Sequence, residues 1–366
     1  MEKVKFISED LVGNGISIET IKKANEMIVI PTFIDETWLK KALDNEIFYI
    51  WGFSYSDLSN CTFDKNIDAS ILRRIVISTK TKLPKVHPFN INSNDYVDKN
   101  IKMLNESGIN GEGVNIAIID QNFNEEHNEI IDSIREHINI DGNTLNSFHG
   151  LVVSSNLIGK NLGVSPKSNV IFYGCSASNE IGQSTIKALD DIYEKNLNGA
   201  NIRLVSISGY LHTLSPKFET IKQKLASQNC YIIDSPTFGE NYTVINERQI
   251  NGVSNYQYSW ELNVCGWELD DSEKNKLAIP YPGISPLMYS KSDYQLGGEC
   301  SYSWVIPRLT GIIALCMQLK SDITLDEFNR IAYETKYITE DGKSIINPLR
   351  IIEQLSKELE GNINLS

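Results

Sequence analysis

Asp120, His149 and Ser303 lie far apart in a chain of 366 residues, yet each stands where a side chain can do chemistry. Val114-Asn115-Ile116-Ala117-Ile118-Ile119 is a nearly continuous apolar run that ends at Asp120. Such a run suits a central parallel strand, and ligands bind at the carboxyl edge of parallel sheets. Ser147-Phe148-His149-Gly150 opens a segment that reads as a helix closing at Gly159. Ser303 precedes Val305, Ile306, Leu309, Ile312, Ile313, Leu315 and Met317, which fall on every face of a helical wheel and predict a helix buried all round. Pro307 is expected in that helix's first turn, where its missing N–H costs little. A serine at the N-terminus of such a helix lies where free N–H groups and the macrodipole favour negative charge. Each residue has an ordinary explanation by itself: a capping serine, a turn aspartate, a packed histidine. Together they are the groups of nucleophilic acyl transfer, in which the hydroxyl attacks a carbonyl carbon, the imidazole carries its proton and the carboxylate holds the imidazole tautomer.

Composition is compatible with that chemistry. Hydrophobic residues make up 41% and charged residues 22% of the chain, which is the balance of a folded globular protein. A formal net charge of −13 argues against a nucleic-acid binder, which would carry a basic face. The apolar runs read as too short for a membrane span, and Met1-Glu2-Lys3-Val4-Lys5-Phe6 lacks the charged-then-apolar pattern of a signal peptide. The six cysteines are dispersed, without a C-x-x-C pair, and read as reduced and packed. The expectation is a cytoplasmic location, with no nucleic-acid or membrane partner.

The elements that must position the three residues follow from patterning. Residues 1–80 alternate short strands, such as 27–33, 47–53 and 75–79, with an amphipathic helix over 37–44, predicting a small α+β domain. Residues 81–99, with Pro84, Pro88 and several asparagines, read as a linker. From residue 100 to 366 strands and helices alternate: strands at 114–119, 169–173, 204–208 and 230–234, helices at 184–193 and 218–227, and a loop over 235–241. Further strands are predicted at 244–246, 257–264 and 277–279. Thr324 followed by Glu327 gives a capping box for a helix over 324–333, and 348–359 reads as a last amphipathic helix. The predicted fold is α/β, with a mainly parallel central sheet and helices on both faces, preceded by the small α+β domain.

In this frame the chain resembles the subtilisin-like serine proteases, the subtilase family. Gly111-Glu112-Gly113 leading to Asp120 resembles the glycine-led strand that ends in the family's catalytic Asp, and His127 matches a downstream His. His149-Gly150 with Val153 resembles the HGTHVAG block, and Gly163-Val164-Ser165-Pro166 the GVAP segment. Ser206-Ile207-Ser208-Gly209 resembles the substrate-binding strand, Pro282-Gly283 the APG block, and Ser301-Tyr302-Ser303-Trp304-Val305-Ile306-Pro307 the GTSMAAP block. Gly342 to Pro348 resembles the segment before the last helix. The likeness is colinear over residues 100–355, in the order Asp, His, Ser that subtilisins share.

The resemblance implies a serine endopeptidase with Asp120, His149 and Ser303 as its triad. It also implies an extended peptide bound along Ser208, Gly209 and Tyr210, and a first domain that resembles a propeptide able to dock on its own active site or, equally, an attached accessory domain. Residues 234–237 would form another pocket wall; Asp234 would favour Lys or Arg if it faces that pocket, while a strand-end Asp is more often turned to solvent or capping. No cofactor is implied; Ca2+ binding, common in the family, is not readable here. Several positions depart from the family pattern. Ser301-Tyr302 stands for Gly-Thr, Trp304-Val305 for Met-Ala, and Val152 for the second His. The side-chain amide that meets the oxyanion has no clean counterpart: Asn241 fits if the loop is long, Thr237 or Phe238 if strict spacing holds, with the Ser303 amide as the other donor. Losing one such donor costs on the order of 10²–10³ in rate. Two functions follow: restricted processing of a precursor or leader peptide, suggested by the bulk of Tyr302 and Trp304, or a pseudoprotease that binds peptides with little turnover.

Overall fold

The computed structural model describes residues 98–142, 146–175, 181–250, 253–258, 275–287, 290–296 and 301–363, with the short strands Lys5–Ser8, Met27–Ile30 and Ile77–Ser78 and positions 37, 59 and 82. The expected N-terminal domain and its linker lie largely outside the described residues. Lys5–Ser8 pairs in parallel with Met27–Ile30, and Ile77–Ser78 pairs with the strand Tyr294–Leu296.

Five strands form an all-parallel sheet in the order Ile134–Asn139, Asn169–Cys175, Asn115–Gln121, Ile202–Ile207, Tyr231–Asp234. The central strand alternates its side chains between two cores, as the pleat requires. Ile116 and Ile118 point to one side, where the helices Phe148–Ile158 and Tyr302–Leu319 pack. Ala117 and Ile119 point to the other, against the helices Ile181–Leu197 and Phe218–Ser227. Two-sided burial is why this strand reads as an unbroken apolar run.

The sheet ends at Tyr231–Asp234, where the sequence suggests that it continues. Five of the strands from 242 onward build a separate sheet in the order Val253–Tyr258, Tyr242–Ile250, Leu277–Tyr281, Ser344–Ile345, Tyr337–Ile338, while Ile284–Pro286 and Tyr294–Leu296 form a third with Ile77–Ser78. Between the two sheets, residues Ser235–Asn241 form a helix rather than the expected loop. Asp234 caps it by accepting a hydrogen bond from the Thr237 amide at 2.9 Å, and Pro236 lies in its first turn, where proline is favoured.

The helix Tyr302–Leu319 is long and apolar enough by length and composition to cross a membrane, against the expectation that the apolar runs are too short for a span. It lies inside the protein, with Val305–Met317 all buried. Gly311 lets it approach the 163–166 turn, since a Cβ there would stand 2.6 Å from Val164 Cβ. Arg308, buried on the same helix, is neutralised by Asp98 at 2.9 Å. The helices Leu325–Glu334, capped by Thr324, and Pro348–Ile363 complete this layer.

Candidate active site

Asp120 is the penultimate residue of the central strand and is buried. One of its carboxylate oxygens accepts two hydrogen bonds, from the Gln121 amide at 2.7 Å and from His149 Nδ1–H at 2.6 Å. His149 reaches it from the first turn of the helix Phe148–Ile158, whose cap, Ser147, accepts from the His149 amide at 3.1 Å. The next residue has to be glycine: a Cβ on Gly150 would lie 2.0 Å from the Gln121 carbonyl oxygen. Its absence lets the helix start press against the strand end, which brings His149 to Asp120.

Asn122 ties the same two segments together. Its carbonyl accepts from the Ser147 amide at 2.7 Å, its amide donates to the Cys175 carbonyl at 3.2 Å, and its side chain bonds Asn146 at 3.0 Å and His137 Nε2 at 2.8 Å. His137 is held on its other nitrogen by Glu125.

Electrostatics favour a basic imidazole at His149. Burial opposes its charged form, but the charge of Asp120 and the hydrogen bond to it outweigh burial, so the pKa stands above the ordinary 6.5. With Nδ1–H held by the carboxylate, Nε2 is the nitrogen left to accept a proton.

Ser303 occupies the first turn of the buried helix, with Ser301 as cap. Its surroundings depart from a simple triad in three ways. Its hydroxyl points to the Ser208 carbonyl at 3.5 Å, and no described hydrogen bond joins it to His149. Its amide donates to Ser301 Oγ at 3.2 Å. Its carbonyl accepts from Ser208 Oγ at 2.9 Å. The last contact follows from Pro307, which lies inside the helix rather than in its first turn and has no N–H to offer the residue four places earlier. Ser208 supplies the missing donor from the end of the neighbouring strand.

Trp304 links this turn to the histidine. Its ring lies 5.0 Å from the His149 ring, centroid to centroid, at an interplanar angle of 44°. Phe148 lies 6.1 Å from Trp304 and 6.2 Å from His149. Tyr302, on the other side of Ser303, packs against Phe238 at 4.9 Å.

The remaining expected site residues are spread around this centre. Gly209 offers its carbonyl to the Ser235 amide at 3.2 Å, and Tyr210 is exposed. Thr237 spends its amide on Asp234. Asn241 closes the helix Ser235–Asn241 at its far end, where its carbonyl accepts from the Tyr333 hydroxyl at 2.9 Å. No described hydrogen bond connects Thr237 or Asn241 to Ser303. Asp234 is not a free pocket charge: it caps its helix and accepts from His212 Nε2–H at 2.8 Å, with both side chains buried. His127 is structural. It accepts from the Glu129 amide and donates to the Asp293 carbonyl, and burial lowers its pKa. Among the described residues no group of three or more His, Cys, Asp or Glu side chains is arranged to hold a metal ion.

Ser301 caps the helix, one of the two capping serines the sequence offers there. The need of the Ser303 carbonyl for an outside donor has a sequence signal in the four-residue spacing to Pro307, whereas the His212–Asp234 pair has none.

The chain is similar to several solved structures, each over roughly 67–74% of its length. It is similar to the prenylagaramide maturation protease PagA, with 16% identity and a TM-score of 0.47 over 70% of this chain and 98% of that one. For the PatG macrocyclase in complex with peptide the values are 12% and 0.49, over 74% and 99%. For a protease from Pseudoalteromonas arctica PAMC 21717 they are 15% and 0.45, over 67% and 91%. No family model matches the chain, and no curated protein matches it.

Proposed function

We propose that the chain is an intracellular serine endopeptidase that cleaves peptide bonds through an acyl-enzyme on Ser303, in restricted processing of a precursor or leader peptide. The observation that carries this is the 2.6 Å Asp120–His149 hydrogen bond at the strand edge, with Trp304, the neighbour of Ser303, packed on the same imidazole. In the proposed reaction the Ser303 hydroxyl turns from the Ser208 carbonyl to His149 Nε2. Its oxygen bonds to the substrate carbonyl carbon while Nε2 takes the proton, and Asp120 stabilises the imidazolium. The imidazolium then gives the proton to the leaving amine as the C–N bond breaks. Water repeats the sequence on the ester and frees the serine.

Restricted specificity is supported by the aromatic side chains on both sides of Ser303, Tyr302 against Phe238 and Trp304 against His149. The free, buried thiols of Cys175, Cys230 and Cys316 agree with reducing surroundings. Substrate along Ser208, Gly209 and Tyr210 would compete for the Ser208 carbonyl, the group that holds the Ser303 hydroxyl.

A second reading, a peptide-binding pseudoprotease, is favoured by one observation. The Ser303 amide, which should face an oxyanion, is bonded to Ser301 Oγ. Incubating the full chain and its Ser303→Ala variant with a peptide library, and reading products by mass spectrometry, separates the two. Cleavage by the wild type alone supports the endopeptidase; intact peptides in both samples support the pseudoprotease.

A further inference from the structure

We infer that Trp304 is a positioning residue for His149, an aromatic wall that holds the imidazole in place and stabilises its protonated form. The role in catalysis rests on the endopeptidase reading; the contact and its effect on the imidazole do not.

The imidazolium has an unfavourable backbone setting. His149 lies in the first turn of a helix, where the macrodipole disfavours positive charge, and its burial disfavours charge further. Asp120 is the charged group that faces the ring, and it acts in the Nδ1 direction through the hydrogen bond. The indole of Trp304 supplies a second source of stabilisation. A cation is drawn to the face of an aromatic ring within about 6 Å of its centroid, and tryptophan is the strongest of the three aromatic residues in this respect. The 5.0 Å separation falls inside that range, with the two rings tilted at 44° to each other rather than stacked.

The arrangement is also anchored. The Trp304 amide donates to the Ser301 carbonyl at 3.0 Å, in the turn whose hydroxyl caps Ser303. Phe148, adjacent to His149 in sequence, lies within 6.2 Å of both rings, so His149 is one corner of a three-ring cluster. A shift of Trp304 would move the imidazole and the serine turn together. Core packing alone would account for a bulky apolar residue here but predicts no dependence of His149 protonation on the aromatic character of residue 304.

The test uses the full chain labelled with 15N-histidine, which gives five imidazoles to follow, with His149 assigned from its loss in His149→Gln. The pH titration of His149 is compared among wild type, Trp304→Phe and Trp304→Leu. Trp304→Leu is expected to weaken proton binding by His149 about two- to five-fold. Trp304→Phe, which keeps a ring, should fall between wild type and the leucine variant. If Trp304→Leu leaves the titration unchanged or strengthens proton binding, Trp304 is only a packing residue or a cover against water, and the inference fails. Should Trp304→Leu not fold, a phenylalanine variant indistinguishable from wild type overturns the inference just as well. Labelling of Ser303 by a fluorophosphonate, run in parallel, reports on the endopeptidase reading separately, because the titration needs no turnover.

Discussion

The Ser303 hydroxyl lies 3.5 Å from the Ser208 carbonyl, while Ser208 Oγ donates to the Ser303 carbonyl at 2.9 Å. The two serines thus hold each other across 95 residues of sequence, and the reason is Pro307. A helix with a residue other than proline at 307 would satisfy the Ser303 carbonyl itself. Removing the Ser208 hydroxyl therefore leaves a carbonyl with no donor.

Ser208→Ala should lower stability by about 1 kcal/mol, the worth of an ordinary hydrogen bond. Introduced beside Pro307→Ala, which restores an N–H, the same change should cost less. Urea unfolding of the two single variants and the double variant closes the cycle. Strict additivity would mean that Ser208 and Pro307 do not share the Ser303 carbonyl.

The pH profile tests the Asp120–His149 pair. The proposed reaction needs a neutral His149, and its pKa is raised, so kcat/KM should climb with pH through a midpoint above 6.5. Asp120→Asn removes the charge and leaves burial, which acts in the opposite direction. The midpoint should then fall below 6.5, with kcat lower by about 10⁴. A midpoint that does not move would separate Asp120 from the titrating group.

A different histidine governs stability near the site. His212 and Asp234 form a buried pair at 2.8 Å, and Asp234 caps the helix Ser235–Asn241. Burial alone would raise the Asp234 pKa, but hydrogen bonds from His212 and Thr237 override it and hold the carboxyl below its ordinary 3.8. A depressed carboxylate stabilises the fold above its unfolded pKa, and that contribution is lost as pH falls through the folded value. His212→Ala should cost about 3–5 kcal/mol at neutral pH, because it strands a buried charge. The deficit should shrink below about pH 4, where Asp234 protonates more readily in the variant. Thermal unfolding across pH 3–7 measures both. A deficit that is the same at every pH would point to lost packing against Phe218, which lies 4.7 Å from the His212 ring.

How much of this was legible in the sequence depends on whether the cause was local. Asp120 could be read because an apolar run stops at a carboxylate, and both faces of that strand are buried. The helix of Ser303 could be read because apolar residues surround it. The helix Ser235–Asn241 was hidden: Pro236, Gly239 and Asn241 look like loop residues, and only Asp234 as a cap reveals the start. The break between the two sheets was hidden with it. The contacts that set the state of the serine, Ser208 with Ser303 and Trp304 with His149, join residues about 95 and 155 positions apart by their numbering. The spacing of Ser303 and Pro307 shows that the Ser303 carbonyl needs a donor, but no periodicity names Ser208 as that donor or pairs Trp304 with His149.

The most direct test is covalent labelling of the serine. A fluorophosphonate should label the wild type at Ser303 in a pH-dependent reaction that tracks deprotonation of His149, and should leave Ser303→Ala unlabelled. His149→Gln should react far more slowly. Equal labelling of wild type and Ser303→Ala, or none in either, would contradict a nucleophilic Ser303 and leave the Asp120–His149 pair without the reaction proposed for it.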